Sequence, residues 1–133
     1  MVMQLRNINL RDVEALRQIH REQYGNEFEF PDLTSRNFIQ TFAVTDNADR
    51  IISGGGIKLI AEAVLITNKE YPVLERKEAL EEILSFTQHI CARYGYDQLH
   101  AFVQDPMWIK VLNKYKFRTC AGQALVKDIY NGL

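Results

Sequence analysis

The sequence feature that most constrains the fold is an apolar run followed by a long amphipathic stretch and a second apolar run. Residues 63–66 are four consecutive apolar residues, which is typical of a buried strand. Apolar positions at helical spacing from Ala79 to Tyr94 predict about five turns of helix, and Gly95 is expected to end it. Residues 98–103 are again typical of a buried strand. A strand, a long helix and a strand predict a parallel pair with a right-handed crossover.

The N-terminal half predicts an antiparallel meander and one helix. Asn9 and Asp12 have the spacing of a helix N-cap and its acidic partner, and that helix should stop near Gly25. A short helix is expected after residue 34 or 35. Strands are expected at residues 2–8, 38–45 and 50–60, the last two joined by a turn at residues 46–49. Glycines at 54–56 favour a bulge or a close approach over a phosphate cradle, because no helix follows them.

The C-terminal part predicts a second capped helix and two further strands. Asp105 has the position of an N-cap, and Pro106 has that of the first helical residue. Strands are expected at residues 117–120 and 123–129, around a turn at residues 121–122. The 133 residues are expected to form one α/β (α+β) domain, residues 1–133, because the length leaves no room for a second.

Bulk properties argue against several classes of function. The net charge is -1, whereas general nucleic-acid and membrane-surface binders need a large basic excess. Two cysteines outside any Cys-x-x-Cys pair are too few for a disulfide framework, and no metal site is expected. We expect neither a signal peptide nor a transmembrane helix, since no stretch of about 18 apolar residues is present. The expected compartment is the cytoplasm.

The order of the elements resembles that of the GNAT (N-acetyltransferase) superfamily over nearly the whole chain. Arg6-x-x-Asn9-x-x-Asp12 is similar to the family's first strand and capped helix, and residues 60–66 are similar to its fourth strand. Residues at the offsets of its last cofactor-contacting helix are Asp105, Trp108, Lys114 and Phe117. The resemblance implies a mixed, mostly antiparallel sheet of about six to seven strands, with a central splayed parallel pair and helices on both faces.

The same resemblance implies acetyl-CoA as the acyl donor. Its thioester and pantetheine would lie along the fourth strand, and Asp105 would contact the cofactor from the last helix. The strand residues are Leu65, Ile66 and Thr67. A pyrophosphate is held by backbone N–H groups and the dipole at a helix start, and the residues at that place are Arg76, Lys77, Glu78, Ala79 and Leu80. Glu81 replaces the second glycine of the family's loop, and the alternative is an ordinary helix start with solvated glutamates.

Acetyl transfer to an amine needs a base, a polarised carbonyl and an acid for the leaving thiolate. By the resemblance Glu62 is the base, with solvation or pairing with Lys58 as its structural alternative. His100 lies in the second predicted strand of the parallel pair, and its alternative is a hydrogen-bonded core histidine. Leu112 occupies the position of the family's usual tyrosine. Tyr115, three residues further on, is either the acid or a packing residue.

An acidic and aromatic segment after the first helix is the candidate acceptor site. Carboxylates beside aromatic rings suit a cationic amine. The alternative is a loop whose phenylalanines fill the core while its acids face water. The candidate substrate-binding residues are Tyr24, Glu27, Phe28, Glu29, Phe30 and Asp32.

Two hypotheses of different classes follow. The first is an acyl-CoA-dependent N-acyltransferase that moves acetyl from acetyl-CoA to a primary amine by direct attack. The second is a GNAT-like module that has lost catalysis and binds a protein partner or a small ligand, which Glu81 and Leu112 favour. Neither hypothesis involves nucleic acid or a membrane. The predicted strand at residues 123–129 would offer an edge for a homodimer.

Overall fold

The computed structural model describes residues 2–129. Within that range the chain divides into two compact units, the first ending at Phe102 and the second beginning at Val103. The elements in chain order are β1 Gln4–Arg6, α1 Leu10–Gln23, β2 Phe38–Thr45, β3 Ile51–Lys58, β4 Ala61–Glu62, α2 Val73–Arg93, β5 Leu99–His100 and α3 Pro106–Lys114. None of the helices in the described range combines the length and the apolarity that crossing a bilayer requires.

The first unit contains an antiparallel sheet and a separate parallel pair. β2 lies between β1 and β3, and both neighbours run antiparallel to it. β4 and β5 pair in parallel across the helix α2. The predicted mixed α/β class, the meander and the parallel pair are therefore confirmed. The residues described form five strands instead of the six to seven expected.

The expected strands that are shortened or not formed are apolar runs without covering neighbours. Residues 63–66 and 101–103 lie outside β4 and β5, and Ile66 is 94% exposed. Residues 117–129 have no regular secondary structure, and Val126 is 92% exposed. The two strands expected there are wrong, including the edge expected to permit a homodimer. An apolar run forms a strand only where neighbouring chains pair with it and cover it, and sequence alone does not supply those neighbours.

The short helix expected after residue 34 or 35 is also wrong. The Asp32 carboxylate accepts hydrogen bonds from the Thr34 N–H at 3.1 Å and from the Thr34 hydroxyl at 2.6 Å. The Ser35 hydroxyl oxygen then accepts from the Asn37 N–H at 3.2 Å. These short side chains satisfy the backbone locally, and such bonds compete with helix formation.

One arginine joins the start of α1 to the sheet. The Asn9 side chain accepts from the Asp12 N–H at 3.0 Å, and the Asp12 carboxylate accepts from the Asn9 N–H at 2.8 Å. This is the capping box predicted from the sequence. The Arg6 guanidinium donates two bonds to the same carboxylate, at 2.5 and 2.9 Å, and a third to Asp49 at 3.2 Å. Because Arg6 ends β1 and Asp49 lies in the β2–β3 turn, three segments meet at one charged group.

Glycines in β3 allow α1 and β2 to approach closely. A Cβ atom on Gly54 would lie 2.9 Å from a methyl carbon of Leu16 on α1. A Cβ atom on Gly56 would lie 2.7 Å from the carbonyl oxygen of Gln40 on β2. Gly55, between them, has no such neighbour within 4 Å. The close approach expected for this triplet is confirmed at Gly54 and Gly56.

The long helix begins earlier than the sequence indicated. α2 starts at Val73, directly after Pro72, and its buried side chains are Leu80 and Leu84. Gly95 follows its C-terminal end with a φ of 84°, which only glycine adopts readily. A Cβ atom on Gly95 would overlap the guanidinium of Arg36. Arg36 therefore connects the segment before β2 to the end of α2.

The second unit contains α3 and an irregular C-terminal segment. The Asp105 side chain accepts a hydrogen bond from the Met107 N–H at 2.9 Å, and Pro106 is the first helical residue, as predicted. The helix ends at Lys114, and Lys116 has a φ of 71°.

A comparison of two neighbouring glycines tests the close approach in β3. We expect Gly56→Ala to lower the free energy of unfolding by about 1–3 kcal/mol, because the added methyl meets a backbone oxygen that cannot move aside. Gly55→Ala is the matched control and should change stability little, since open space surrounds that position. Urea denaturation of both variants measures the difference. Equal losses of stability in the two variants would show that strand propensity, and not contact with Gln40, determines the effect of alanine at these positions.

The ion pair of Asp12 predicts a pH dependence of stability. The hydrogen bonds from Arg6 hold the pKa of Asp12 below its ordinary value. A carboxylate whose pKa is lower in the folded state stabilises the protein above its unfolded pKa, and this contribution is lost as the pH falls through the folded pKa. We expect Asp12→Asn to be less stable than the wild type at pH 7, with the difference shrinking toward pH 2. Glu14→Gln, on the exposed face of the same helix, should show no such convergence in denaturation curves.

Candidate functional site

The parallel pair of strands brings Glu62 and His100 side by side. In its register Ala61 is opposite Leu99 and Glu62 is opposite His100. Residues at the same level of neighbouring strands lie about 4.8 Å apart and face the same side of the sheet. The Ala63 N–H donates a further hydrogen bond to the His100 carbonyl at 2.8 Å. Two of the three residues expected to be catalytic are therefore neighbours.

The two side chains differ in their surroundings. Glu62 is exposed, and within residues 2–129 it forms no ion pair with Lys58. His100 is half-buried, and its Nδ1 atom is buried without a hydrogen-bond partner in the described part of the chain. A buried polar atom without a partner is costly and is frequent at functional sites. A carboxylate beside such an imidazole can accept a proton from a bound nucleophile.

The segment after β4 has open backbone donors. Ladder pairing ends at Ala63, and in the described range the N–H groups of residues 65–67 donate no hydrogen bond. Leu65, Ile66 and Thr67 were expected to hold the thioester and the pantetheine. N–H groups that are free near a carboxylate and an imidazole can polarise a carbonyl oxygen.

The residues expected to hold the pyrophosphate lie inside α2. The Arg76 N–H donates to the Pro72 carbonyl at 3.0 Å, so the helical bonding pattern includes residues 76–80. Free N–H groups at the helix start belong to residues 73–75. Arg76 and Lys77 remain as cationic side chains, and the Arg76 Nε atom is buried without a partner among the described residues. A pyrophosphate at this place would contact the N–H groups of residues 73–75 and the side chains of Arg76 and Lys77.

An acidic surface runs along α2 beyond Arg76. It borders an open cavity of about 860 Å³ lined by Glu75, Glu78, Ala79, Glu81, Glu82, Ser85, Phe86 and His89. Glu78 and Ala79 belong to the expected pyrophosphate set, whereas Leu80 is buried in the core. The carboxylates of this surface would repel a phosphate, whereas the side chains of Arg76 and Lys77 would attract it.

Asp105 and Tyr115 lie at the two ends of α3 in the second unit. The Asp105 carboxylate caps the helix, and the Tyr115 N–H donates to the Leu112 carbonyl at 2.9 Å. Tyr115 is half-buried and immediately follows the helix.

The aromatic and acidic segment is organised around His20, on the last turn of α1. The His20 Nε2 atom lies 2.6 Å from the Phe28 carbonyl oxygen. Its ring centroid is 4.7 Å from that of Phe28 and 5.5 Å from that of Phe30, both edge-to-face, and 6.2 Å from that of Tyr24. The spacing of four residues between His20 and Tyr24, on one helix face, is the signal that could have revealed this cluster.

The chain itself supplies a cation to this cluster. The Arg17 guanidinium lies 4.9 Å from the Phe30 ring centroid. Glu27 and Glu29 are exposed, and the hydrogen bond from the Thr34 hydroxyl holds the pKa of the Asp32 carboxyl below its ordinary value. A cationic acceptor would therefore meet Tyr24, Phe28 and the free carboxylates before Phe30.

No group of three or more His, Cys, Asp or Glu side chains in the described range is arranged to hold a metal ion. No protein-family model matches the sequence, and no curated protein matches it significantly. The geometry around Glu62 and His100 is therefore what indicates the chemistry of this chain.

An engineered disulfide tests that geometry. Glu62→Cys combined with His100→Cys, in a background of Cys91→Ala and Cys120→Ala, should form an intramolecular disulfide on mild oxidation, because a separation of about 4.8 Å between strands suits a disulfide. Val64→Cys with His100→Cys is the control, since it is two residues out of register. Peptide mass spectrometry measures the fraction of disulfide formed in each of the two variants. Equal crosslinking of the two pairs would contradict the register.

Proposed function

We propose that the protein is an acyl-CoA-dependent N-acyltransferase of the GNAT type, which transfers acetyl from acetyl-CoA to a primary amine by direct attack. The observation that carries the proposal is the pairing of Glu62 with His100 on adjacent parallel strands, beside the open N–H groups of residues 65–67. A base next to an oxyanion-binding backbone is the minimum that aminolysis of a thioester requires.

The proposed roles follow from the chemistry of the reaction. The amine nitrogen forms a bond to the acyl carbon, and the carbon–sulfur bond breaks. The carboxylate of Glu62 takes the amine proton, directly or through water, while His100 is the second proton acceptor within reach of the same face. The N–H groups at residues 65–67 stabilise the negative charge that develops on the carbonyl oxygen. The leaving thiolate takes its proton from solvent.

The proposed cofactor contacts are cationic at one end and uncharged at the other. Arg76 and Lys77, with the free N–H groups at the start of α2, would hold the pyrophosphate, and Leu65, Ile66 and Thr67 would line the pantetheine. The acceptor amine would approach past the exposed residues of the His20 cluster, and the cytoplasm is the proposed compartment.

A second candidate function is a GNAT-like module that binds a partner or a small ligand without catalysis. The acidic surface of α2 favours it, because Glu78 and Glu82 lie one turn apart and no glycine opens the helix to a phosphate. In this case the residues around Glu62 would have no part in a reaction.

Calorimetric titration of acetyl-CoA and of free CoA separates the two candidates. The enzyme should bind both, and acetylation of a panel of primary amines should release a thiol that is measured colorimetrically. Glu62→Gln should lower kcat by about 10²–10⁴ while leaving CoA affinity unchanged, and Glu14→Gln is the matched control. The absence of both a heat signal and a thermal shift at millimolar ligand would refute the enzyme. Binding with turnover unchanged in Glu62→Gln would remove Glu62 from the mechanism.

A further inference from the structure

The second unit contains a run of cationic side chains with no acidic residue among them. Between residues 106 and 127 the sequence has no Asp or Glu, and its five cationic residues are Lys110, Lys114, Lys116, Arg118 and Lys127. Each of these residues is exposed. The expectation that no membrane is involved came from the net charge of -1, which averages over the whole chain and hides a local excess. A local excess of positive charge attracts polyanions.

Helical spacing places two of these cations on one side of α3. Met107, Lys110 and Lys114 follow one another at intervals of three and four residues, so they lie along the same side of the helix. All three are exposed, and Met107 is 65% exposed. The other side of the helix consists of half-buried residues, which are Trp108, Val111, Leu112 and Tyr115. The exposed side of α3 therefore combines two cations with an apolar side chain.

A lysine occupies the position after α3 at which glycine is favoured. The Lys116 N–H donates to the Asn113 carbonyl at 3.2 Å, and the Phe117 N–H donates to the Leu112 carbonyl at 3.1 Å. These two bonds form a Schellman motif, in which the left-handed residue is usually glycine. That residue here is Lys116, with a φ of 71°. Lysine is less stable than glycine in this conformation, but it adds a cation directly after the helix.

The apolar side chains that are exposed in residues 103–129 are aliphatic. They are Met107, Ile109, Leu125, Val126 and Ile129. The aromatic residues in the same range are half-buried, and these are Trp108, Tyr115 and Phe117. Bases of single-stranded nucleic acids stack on open aromatic rings, whereas the interface of a lipid bilayer takes up aliphatic side chains that lie near cations. The exposed residues of this unit therefore suit a lipid surface better than a nucleic acid.

We propose that the second unit binds the surface of an anionic lipid bilayer, a property that does not rest on the proposed acyl transfer. The anionic headgroups attract the cations from Lys110 to Arg118, and the long stems of these side chains let their charges remain in the headgroup layer. Met107, on the same side of α3 as Lys110 and Lys114, enters the interface beside them. The nine residues of α3 are far too few to cross a bilayer, so the contact is at its surface.

Sedimentation of the full chain with lipid vesicles tests the proposal. Vesicles of phosphatidylcholine with about 30 mol% phosphatidylserine should bind the protein, whereas vesicles of phosphatidylcholine alone should not. Lys110→Gln/Lys114→Gln should lower the partition coefficient by about 25-fold, since each cation near an anionic surface contributes about fivefold. Arg11→Gln/Arg21→Gln removes two exposed cations from α1 and is the charge-matched control, which should change the partition coefficient little.

A variant at the end of α3 separates loss of charge from loss of structure. Lys116→Gly should raise the Tm, because glycine adopts the left-handed conformation readily, and should still lower vesicle binding by about fivefold. Met107→Ser should lower binding to the same vesicles by about threefold or more, because an apolar side chain no longer enters the interface. A higher Tm with unchanged binding in Lys116→Gly would contradict the role given to this cation.

The remaining outcomes decide whether the surface binds lipid. Equal binding to both kinds of vesicle, or binding to neither, would overturn the proposal. Equal losses in the Lys110→Gln/Lys114→Gln and Arg11→Gln/Arg21→Gln variants would also overturn it, because they would show attraction by total charge alone. A single-stranded oligonucleotide or polyglutamate, added at the same concentration of negative charge as the vesicles, should leave most of the protein on the lipid. Complete displacement by either competitor would replace the lipid with a nucleic acid or an acidic protein as the partner.

Discussion

The bidentate salt bridge between Arg6 and Asp12 is the interaction on which the N-terminal part of the first unit depends. It joins the last residue of β1 to the first turn of α1, and the third bond of Arg6 adds the β2–β3 turn through Asp49. Asp12 is buried, so its charge must be paired to be tolerated there. Its carboxylate also caps α1. One side chain therefore sets the start of the helix and its position against the sheet.

Two further close contacts join elements of the first unit. α1 approaches β3 because Gly54 has no side chain, and Leu16 occupies the space that a Cβ atom would fill. Arg36 lies against Gly95, which ends α2 four residues before β5 begins. The end of this helix determines where β5 can start, and β5 has only two residues to align His100 with Glu62. A short parallel pair of this kind is held in register by what precedes and follows it.

The candidate site combines two titratable side chains with open backbone donors. Glu62 and His100 can take a proton, and the open backbone that follows can bind a carbonyl oxygen. The buried Nδ1 atom of His100 has no partner among the described residues, which distinguishes it from a satisfied core histidine.

The sequence by itself determined the local structure: the capping box at Asn9, the extent of β2, the glycine after α2 and the Asp-Pro start of α3. Each depends on residues within a few positions of one another, where hydrogen-bonding and backbone preferences act directly. It also predicted that Glu62 and His100 belong to one parallel pair. Tertiary structure alone decided where the strands stop, because pairing and burial require partners distant in the chain. Residues 76–80 likewise proved to lie inside α2. Packing placed Phe28 and Phe30 against the His20 ring, because helical spacing does not determine neighbours beyond the end of a helix.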